Sequence, residues 1–146
     1  MELTRIQNLS LAYISSFTLR CAVDLDISGH IKAYGRPMPL NELARSIPIP
    51  PEKDWMLGHL MTLLVKQDIF VQSEAGYLLT PASELTLTEG SNVGAYVRLV
   101  TEAEFIKGWD RLSEVFKDKC TFMEKLSDGE QFWEIVKRKP KFGSDI

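Results

Sequence analysis

The apolar positions between residues 50 and 83 follow two successive periodicities. The first has helical spacing, with apolar residues at i, i+3, i+4 and i+7: Leu57, Leu60, Met61 and Leu64. Two β-prone runs follow, at 69–72 and 77–80, and a turn that ends in Gly76 separates them. Thr80-Pro81 then suits the N-cap and first position of a short helix. The pattern predicts a helix followed at once by a two-stranded wing, the core of a winged-helix module.

Apolar residues at helical spacing predict further helices on both sides of this segment. Their expected positions are residues 4–23, 24–35, 40–47, 91–100, 105–116 and from 132 onward. Gly35 and Pro48 are stop signals, and Ser91 is placed to cap the first helix after the wing. The helix over 40–47, a Pro-rich turn and the long helix form a helix-turn-helix pair that carries the wing. The predicted fold class is therefore mainly α, a winged-helix domain with flanking helices.

The first predicted helix is apolar on two sides. One stripe consists of Ile6, Leu9, Tyr13 and Phe17, and the other of Leu11, Ile14, Thr18 and Ala22. A helix with two apolar sides is expected to be buried on both. Either it crosses the centre of its own domain, or another subunit covers one side. An N-terminal helix has few neighbouring residues to enclose it, which favours the second interpretation.

Composition narrows the class of protein. The 146 residues, 45% of them hydrophobic, suffice for one domain or for one compact unit with an extension. A net charge of -3 argues against a nucleic-acid binder. The sequence has neither an apolar run of about 18 residues nor the order of a secretory signal, so no membrane association is expected. Cys21 and Cys120 are expected to be reduced thiols of a cytoplasmic protein.

Few residues suggest catalysis. No Gly-rich phosphate loop or zinc-spaced Cys/His set is present. His59 is expected to pack or to lie at the rim of the long helix, and His30 to lie on the surface. Glu102 and Glu104 point to different sides of a helix and are expected to be solvated.

The basic run 137–141 either contacts an anionic partner or is a solvated terminus. Aromatic residues of the second half either wall a pocket for a flat ligand or pack in the core: Phe105, Trp109, Phe132, Trp133 and Phe142. We therefore expect no catalytic, cofactor-binding or metal-binding residue in this chain.

Short segments in a fixed order resemble the N-terminal half of plant small-molecule O-methyltransferases. These segments are Leu19-Arg20-Cys21-Ala22-Val23-Asp24-Leu25, Arg36-Pro37-Met38, Leu40-Asn41-Glu42-Leu43, Leu60-Met61-Thr62-Leu63-Leu64-Val65, Phe70-Val71, Tyr77-Leu78-Leu79-Thr80-Pro81-Ala82-Ser83, Trp109-Asp110-Arg111-Leu112, Phe132-Trp133 and Pro140-Lys141-Phe142. No single segment is specific, but the ordered set covers nearly the whole chain.

The resemblance implies a role in secondary metabolism. Such enzymes transfer a methyl group from S-adenosylmethionine to a hydroxyl of a phenolic, flavonoid or alkaloid substrate, and they are homodimers. Residues 1–90 would be the winged-helix dimerisation domain, with a swapped-type N-terminal helix. Residues 91–146 would be a helical extension leading to a Rossmann-like half. Contributions to the partner's active site would come from Tyr13, Ser16 and Phe17. Substrate-lining positions would be Leu99, Val100, Phe105, Phe132 and Phe142.

The sequence departs from this family by lacking the Rossmann-like half, with its cofactor loop and general-base histidine. We therefore expect the chain alone to bind no S-adenosylmethionine and to be inactive, while pairing with itself or with a related O-methyltransferase. Two local departures are Pro39, where Thr or Ser commonly caps a helix, and the polar run 102–104 near the substrate-lining positions. The alternative is a non-catalytic winged-helix module, acting as a regulatory dimer partner of a full-length relative or binding DNA. The balanced charges of residues 51–67 argue against DNA.

Overall fold

A computed structural model of the chain describes residues 1–119, except Thr88 and Gly90, together with Glu124. The chain divides into two compact units, Met1–Gly94 and Ala95–Ile146. The α-helices are α1 Glu2–Ser10, α2 Tyr13–Asp24, α3 Ile27–Tyr34, α4 Leu40–Ser46, α5 Asp54–Lys66, α6 Pro81–Glu84, α7 Val93–Val100, α8 Ala103–Ile106 and α9 Leu112–Val115. Two single 3-10 turns lie at Pro51–Lys53 and Trp109–Arg111, and the strands are β1 Phe70–Ser73 and β2 Gly76–Leu79. The mainly α, winged-helix fold class is confirmed.

The core of the first unit lies where α2, α3, α4, α5 and the wing meet. Side chains that are almost completely inaccessible to solvent include Ile27, Leu43, Met61, Leu64 and Phe70. Helix α5 contributes Leu57, Met61 and Leu64 from one face, as its spacing predicted, and Leu60 is only partly buried. The helix-turn-helix pair is α4 and α5, which pack against each other directly.

The wing is an antiparallel hairpin in which Phe70 pairs with Leu79 and Ser73 pairs with Gly76. Each strand is displaced by one residue from its predicted position, because the loop between them has two residues rather than four. The wing is joined to the loop before α4, where Met38 and Tyr77 exchange two backbone hydrogen bonds of 3.0 and 2.9 Å. Tyr77 is thereby held in the core.

The predicted cap after the wing is confirmed. The Thr80 side chain accepts a hydrogen bond from the Ser83 backbone N–H, and the Ser83 hydroxyl accepts one from the Thr80 N–H. Thr80 Oγ1 also donates to the Ile69 carbonyl at 2.7 Å, which ties α6 to the start of β1. Thr86 Oγ1 in turn lies 2.7 Å from Ser28 Oγ on α3. These hydroxyl groups connect the wing to the helical core.

The continuous helix predicted over 4–23 is wrong, because the structure divides it at Leu11 and Ala12. The backbone bonds there change to the tighter i to i+3 pattern, with Ala12 N–H donating to Leu9 O and Ile14 N–H to Leu11 O. Ser10 Oγ donates to the Ile6 carbonyl at 2.8 Å, a contact that bends helices. Neither Gly nor Pro marks the break, so apolar periodicity alone did not show it.

The single helix predicted over 105–116 is also wrong, since the structure has α8, a 3-10 turn and α9 in its place. Gly108 lies between α8 and the turn. Glycine destabilises a continuous helix because it loses more conformational freedom on folding than other residues. The helix predicted after the wing is confirmed as α7, and Ser91 Oγ accepts a hydrogen bond from its first residue, Val93, at 3.4 Å. The helix predicted from Phe132, the run 137–141 and Cys120 lie outside the described residues. Among the residues that are described, no helix combines the length and apolar character needed to cross a membrane.

Candidate functional site

Helix α1 lies on the surface, and none of its nine residues is buried. Its large apolar side chains remain in solvent, with Leu3 70%, Ile6 61% and Leu9 67% exposed. These residues follow one another at intervals of three, so at about 100° per residue they cover an arc of about 120° centred on Ile6. A monomeric surface helix normally turns such a stripe toward its own core. Nothing in the described part of the first unit covers this one.

The first half of α2 continues this exposed apolar surface. The residues predicted to reach a partner's active site, Tyr13, Ser16 and Phe17, are all exposed. Their spacing of three and one places them on neighbouring parts of one helical face. The second half of the same helix is different, because Ala22 and Val23 are buried in the first unit. Helix α2 therefore anchors the exposed segment to the domain.

A groove runs between α2 and α5, which pack against each other in opposite directions. Near one end, Gln67 Nε2 donates to Ser15 Oγ at 2.9 Å. Toward the other end the groove opens into a cavity of about 210 Å³. The lining is almost wholly apolar, from Cys21, Leu25, Ile49, Met56, Leu57 and Leu60, with Lys53 beside them. We call this cavity, between the second half of α2 and the first half of α5, the α2–α5 groove.

The thiol of Cys21 forms part of the α2–α5 groove wall and has no disulfide partner. Burial raises the pKa of this thiol above its usual range, and the nearby Asp24 carboxylate raises it further. Cys21 is thus a protonated, weakly polar side chain at neutral pH, which suits an apolar wall. The sequence did not identify this groove. The sequence feature that could have indicated the groove is the pair Met56 and Leu60, one turn apart on α5 and beside its buried stripe.

The outward face of α5 also carries large apolar side chains. Trp55 is 64% exposed, and Met56 and Leu63 are exposed as well. Trp55 contacts His59 edge to face, with 5.8 Å between ring centroids. His59 is exposed beside Trp55, in agreement with the prediction of a rim residue. Because α5 occupies the position of a recognition helix, exposed aromatic and aliphatic groups there favour contact with protein over contact with DNA.

The predicted substrate-lining residues belong to the second unit. Leu99 and Val100 end α7 and Phe105 lies on α8, and each is partly buried. Phe132 and Phe142 lie outside the described residues. The structure therefore neither brings the five together nor separates them, and their role stays a prediction.

Other candidate sites in the described ranges offer little chemistry. No group of three His, Cys, Asp or Glu residues there is placed to hold a metal ion. His30 Nδ1 contacts Ser46 Oγ on α4, which gives this ring a structural partner. A second, open cavity of about 410 Å³ beside α3 is lined by Asp26, Gly29, Lys32, Ala33, Leu87 and Glu89. Lys32 and Glu89 form a 3.9 Å ion pair there, and both are exposed to solvent.

A helix-turn-helix pair with a two-stranded wing, an exposed apolar first helix and an apolar recognition helix define a winged-helix domain built for assembly with protein. Comparison with known proteins identifies the family. A family model described as the O-methyltransferase dimerisation domain matches residues 7–89. The chain belongs to this O-methyltransferase family.

Among curated relatives, eugenol O-methyltransferase from Ocimum basilicum is 34% identical over 94% of this chain and 41% of its own length. Cephaeline 6'-O-methyltransferase CiOMT from Carapichea ipecacuanha is 34% identical over 97% of this chain and 42% of its own length. The chain thus spans about two fifths of the curated relatives that it matches.

Solved structures show the same fold. The pyocyanin biosynthetic protein PhzM matches 99% of this chain and 42% of its own, with a TM-score of 0.79 and 25% identity. The methyltransferase CalO1 of calicheamicin biosynthesis, solved in its SAH-bound form, has a TM-score of 0.81 and 14% identity over 99% of this chain and 42% of its own. Both likenesses show that this chain has the fold found at one end of these larger proteins.

Proposed function

We propose that this chain is the dimerisation and substrate-wall region of an O-methyltransferase that methylates a hydroxyl of a phenolic, flavonoid or alkaloid compound with S-adenosylmethionine. The observation that carries the proposal is the exposed apolar surface of α1 and the first half of α2, within a match to the dimerisation domain over residues 7–89. The substrate class rests on relatives named for eugenol, chavicol, myricetin and cephaeline.

The partner is a second copy of the chain or a related O-methyltransferase. In either assembly, Tyr13, Ser16 and Phe17 would reach the partner's active site, and Leu99, Val100, Phe105, Phe132 and Phe142 would line the substrate pocket of their own subunit. The exposure of the first three agrees with such a contribution. We also propose a cytoplasmic location, since a thiol such as Cys21 persists unpaired in a reducing compartment.

Dimerisation is tested by measuring the mass of the purified chain in sedimentation equilibrium over a range of concentrations. Phe17→Asp removes a partly exposed aromatic group and adds a charge, with little effect on the core. In a two-fold assembly the change acts twice, so losing about 1.5–3 kcal/mol of apolar burial per copy raises the dimer Kd by about 10²- to 10⁴-fold. Asn41→Asp, an exposed change on α4, is the matched control and should leave Kd unchanged. A wild-type chain that stays monomeric at high concentration would refute the proposal.

Cofactor and partner roles need separate experiments. Titration calorimetry of the 146-residue chain with S-adenosylmethionine and S-adenosylhomocysteine should give no heat of binding, and saturable one-site binding would require a different assignment. For the pocket role, the chain is paired with a full-length related O-methyltransferase. Tyr13→Ala should then change the KM for the aromatic substrate more than the KM for the methyl donor. Failure ever to recover such a mixed complex would leave self-association as the only assembly.

A further inference from the structure

The α2–α5 groove has an apolar interior and a charged group at its edge. Leu57 is 4% exposed and therefore forms the floor of the cavity. Cys21 and Leu60 are partly buried and belong to its walls, whereas Met56 and Lys53 are exposed and lie at the rim. A molecule that enters the groove would thus meet apolar side chains at one end and an ammonium group at the other.

The volume of the groove limits the size of such a molecule. The cavity measures about 210 Å³. An apolar protein cavity of about 150 Å³ accommodates a benzene molecule. The α2–α5 groove therefore has room for one aromatic ring and a side chain of a few atoms, but not for a nucleoside cofactor.

The lining of the groove favours an aromatic ring over an aliphatic group. Two of its side chains, Cys21 and Met56, contain sulfur, and sulfur makes favourable contacts with the edges of aromatic rings. Burial raises the pKa of the Cys21 thiol. The thiol is therefore neutral at physiological pH and does not repel an anion.

The charges around the groove favour an acid. Glu52 and Asp54 flank Lys53 in the sequence, but within the described ranges neither forms an ion pair with its ammonium group. The Asp24 carboxylate at the end of α2 is paired with Arg20 at 3.3 Å. Lys53 thus supplies the positive charge at the rim, and a carboxylate placed there would remain partly in solvent.

We propose that the α2–α5 groove binds a small monocyclic aromatic carboxylic acid, with the ring against Leu57 and the carboxylate at the Lys53 ammonium. The site adds to the proposed function, because none of its lining residues is among those assigned to the substrate pocket or to a partner's active site. It also does not depend on dimerisation, since all its residues belong to one chain.

Binding is measured by NMR titration of the full 146-residue chain with 3-phenylpropionate, which has one ring, two methylene groups and a carboxylate. Eleven non-hydrogen atoms at the efficiency of ordinary small ligands give a Kd of about 0.1–1 mM. Two analogues serve as matched controls. Neutral 3-phenyl-1-propanol lacks the charge and 3-cyclohexylpropionate lacks the aromatic ring, and each should bind about threefold more weakly. Equal affinity of all three compounds would overturn the proposed ligand class.

Cys21 reports whether the molecule binds in the groove. The chain has two cysteines, so Cys120→Ser leaves Cys21 as its single thiol. A ligand that covers this thiol lowers its alkylation rate by a factor of 1 + [L]/Kd, about tenfold at ten times Kd. Half-protection should occur at the Kd found by titration. Saturable binding that leaves the alkylation rate unchanged would place the molecule elsewhere and would overturn the site.

The role of Lys53 is tested by Lys53→Gln, with Lys66→Gln as the matched control at the other end of α5. Both positions are exposed, so neither change disturbs the core. Lys53→Gln should weaken binding of 3-phenylpropionate about threefold and leave 3-phenyl-1-propanol unaffected, whereas Lys66→Gln should change neither. Equal effects of the two variants would contradict the carboxylate contact. Failure of 3-phenylpropionate to bind wild-type chain at about 10 mM, ten times the weakest expected Kd, would overturn the proposal as a whole.

Discussion

Replacing Gly76 by alanine should loosen the wing from the helical core. Gly76 begins β2 with φ of +142°, a conformation that side chains rarely adopt. A Cβ atom built there would lie 2.4 Å from the carbonyl carbon of Met38 and 2.5 Å from its oxygen. Since those atoms are backbone, either Met38 or the hairpin must move. The movement would weaken the two hydrogen bonds that Met38 exchanges with Tyr77.

The magnitude follows from these contacts. An unfavourable backbone conformation costs about 1–3 kcal/mol, and each backbone hydrogen bond lost costs about 0.5–1.5 kcal/mol. With two bonds, Gly76→Ala should lower the free energy of unfolding by about 2–6 kcal/mol. That is a large part of the total for a domain of this size, about 5–15 kcal/mol. The melting temperature should fall by at least about 8 °C.

Gly35→Ala is the matched control, because Gly35 ends α3 with φ of +77° and has no atom within 4 Å of a built Cβ. This change adds the strain of a left-handed residue, about 1–2 kcal/mol, without a collision. Both variants are compared with wild type by urea unfolding followed by circular dichroism. Protein concentration is held fixed, since dimerisation contributes to apparent stability. If Gly76→Ala is no more destabilising than Gly35→Ala, the close approach of Met38 is not what requires glycine at that position.

Three further predictions concern polar and titratable groups of the same core. Ser83→Ala leaves the Thr80 N–H without its acceptor and should lower stability by about 1–3 kcal/mol in urea unfolding, whereas Ala82→Ser at an exposed position should have little effect. The raised pKa values of Cys21 and Tyr77 mean that the folded state holds these protons more tightly than the unfolded state. Stability should therefore fall as pH rises through and above the unfolded-state values, about 8.5 and 10, and a flat alkaline profile would contradict this. Alkylation of Cys21 should be slower in folded than in urea-unfolded chain at equal pH, and equal rates would mean that burial does not protect the thiol.

The wing and the helix before it were predictable because their signals are local. Helical spacing in α5, β-prone runs, and Thr80-Pro81 each determine a few neighbouring residues, and the structure retains all three. The strand positions were shifted by one residue because the tight two-residue loop depends on the contact between Gly76 and Met38. That contact joins residues 38 positions apart and leaves no local pattern in the sequence.

The breaks in the two predicted long helices had a different cause. At Leu11 and Ala12, apolar periodicity continues through residues whose hydrogen bonds no longer follow the α-helical pattern. Gly108 was visible in the sequence, but a single glycine does not by itself end a helix. The α2–α5 groove was only partly predictable. The apolar residues of α5 that line it can be recognised in the sequence. The cavity itself depends on how α2 and α5, which are far apart in the sequence, pack against each other.

The two apolar faces of α5 explain how a winged-helix fold can serve assembly instead of nucleic-acid recognition. Leu57, Met61 and Leu64 fix the helix in the core, as in any helix-turn-helix pair. The remaining surface presents Trp55 and Met56 where a DNA-binding protein would present Arg or Lys. In the dimer that we propose, a partner subunit would cover exposed apolar surface of this kind. Since Tyr13 follows α1 after a short break, contact of α1 with the partner would also bring Tyr13 close to the second copy. Association and the contribution to the partner's active site would then depend on the same few residues, and Ile6→Asp should impair both together.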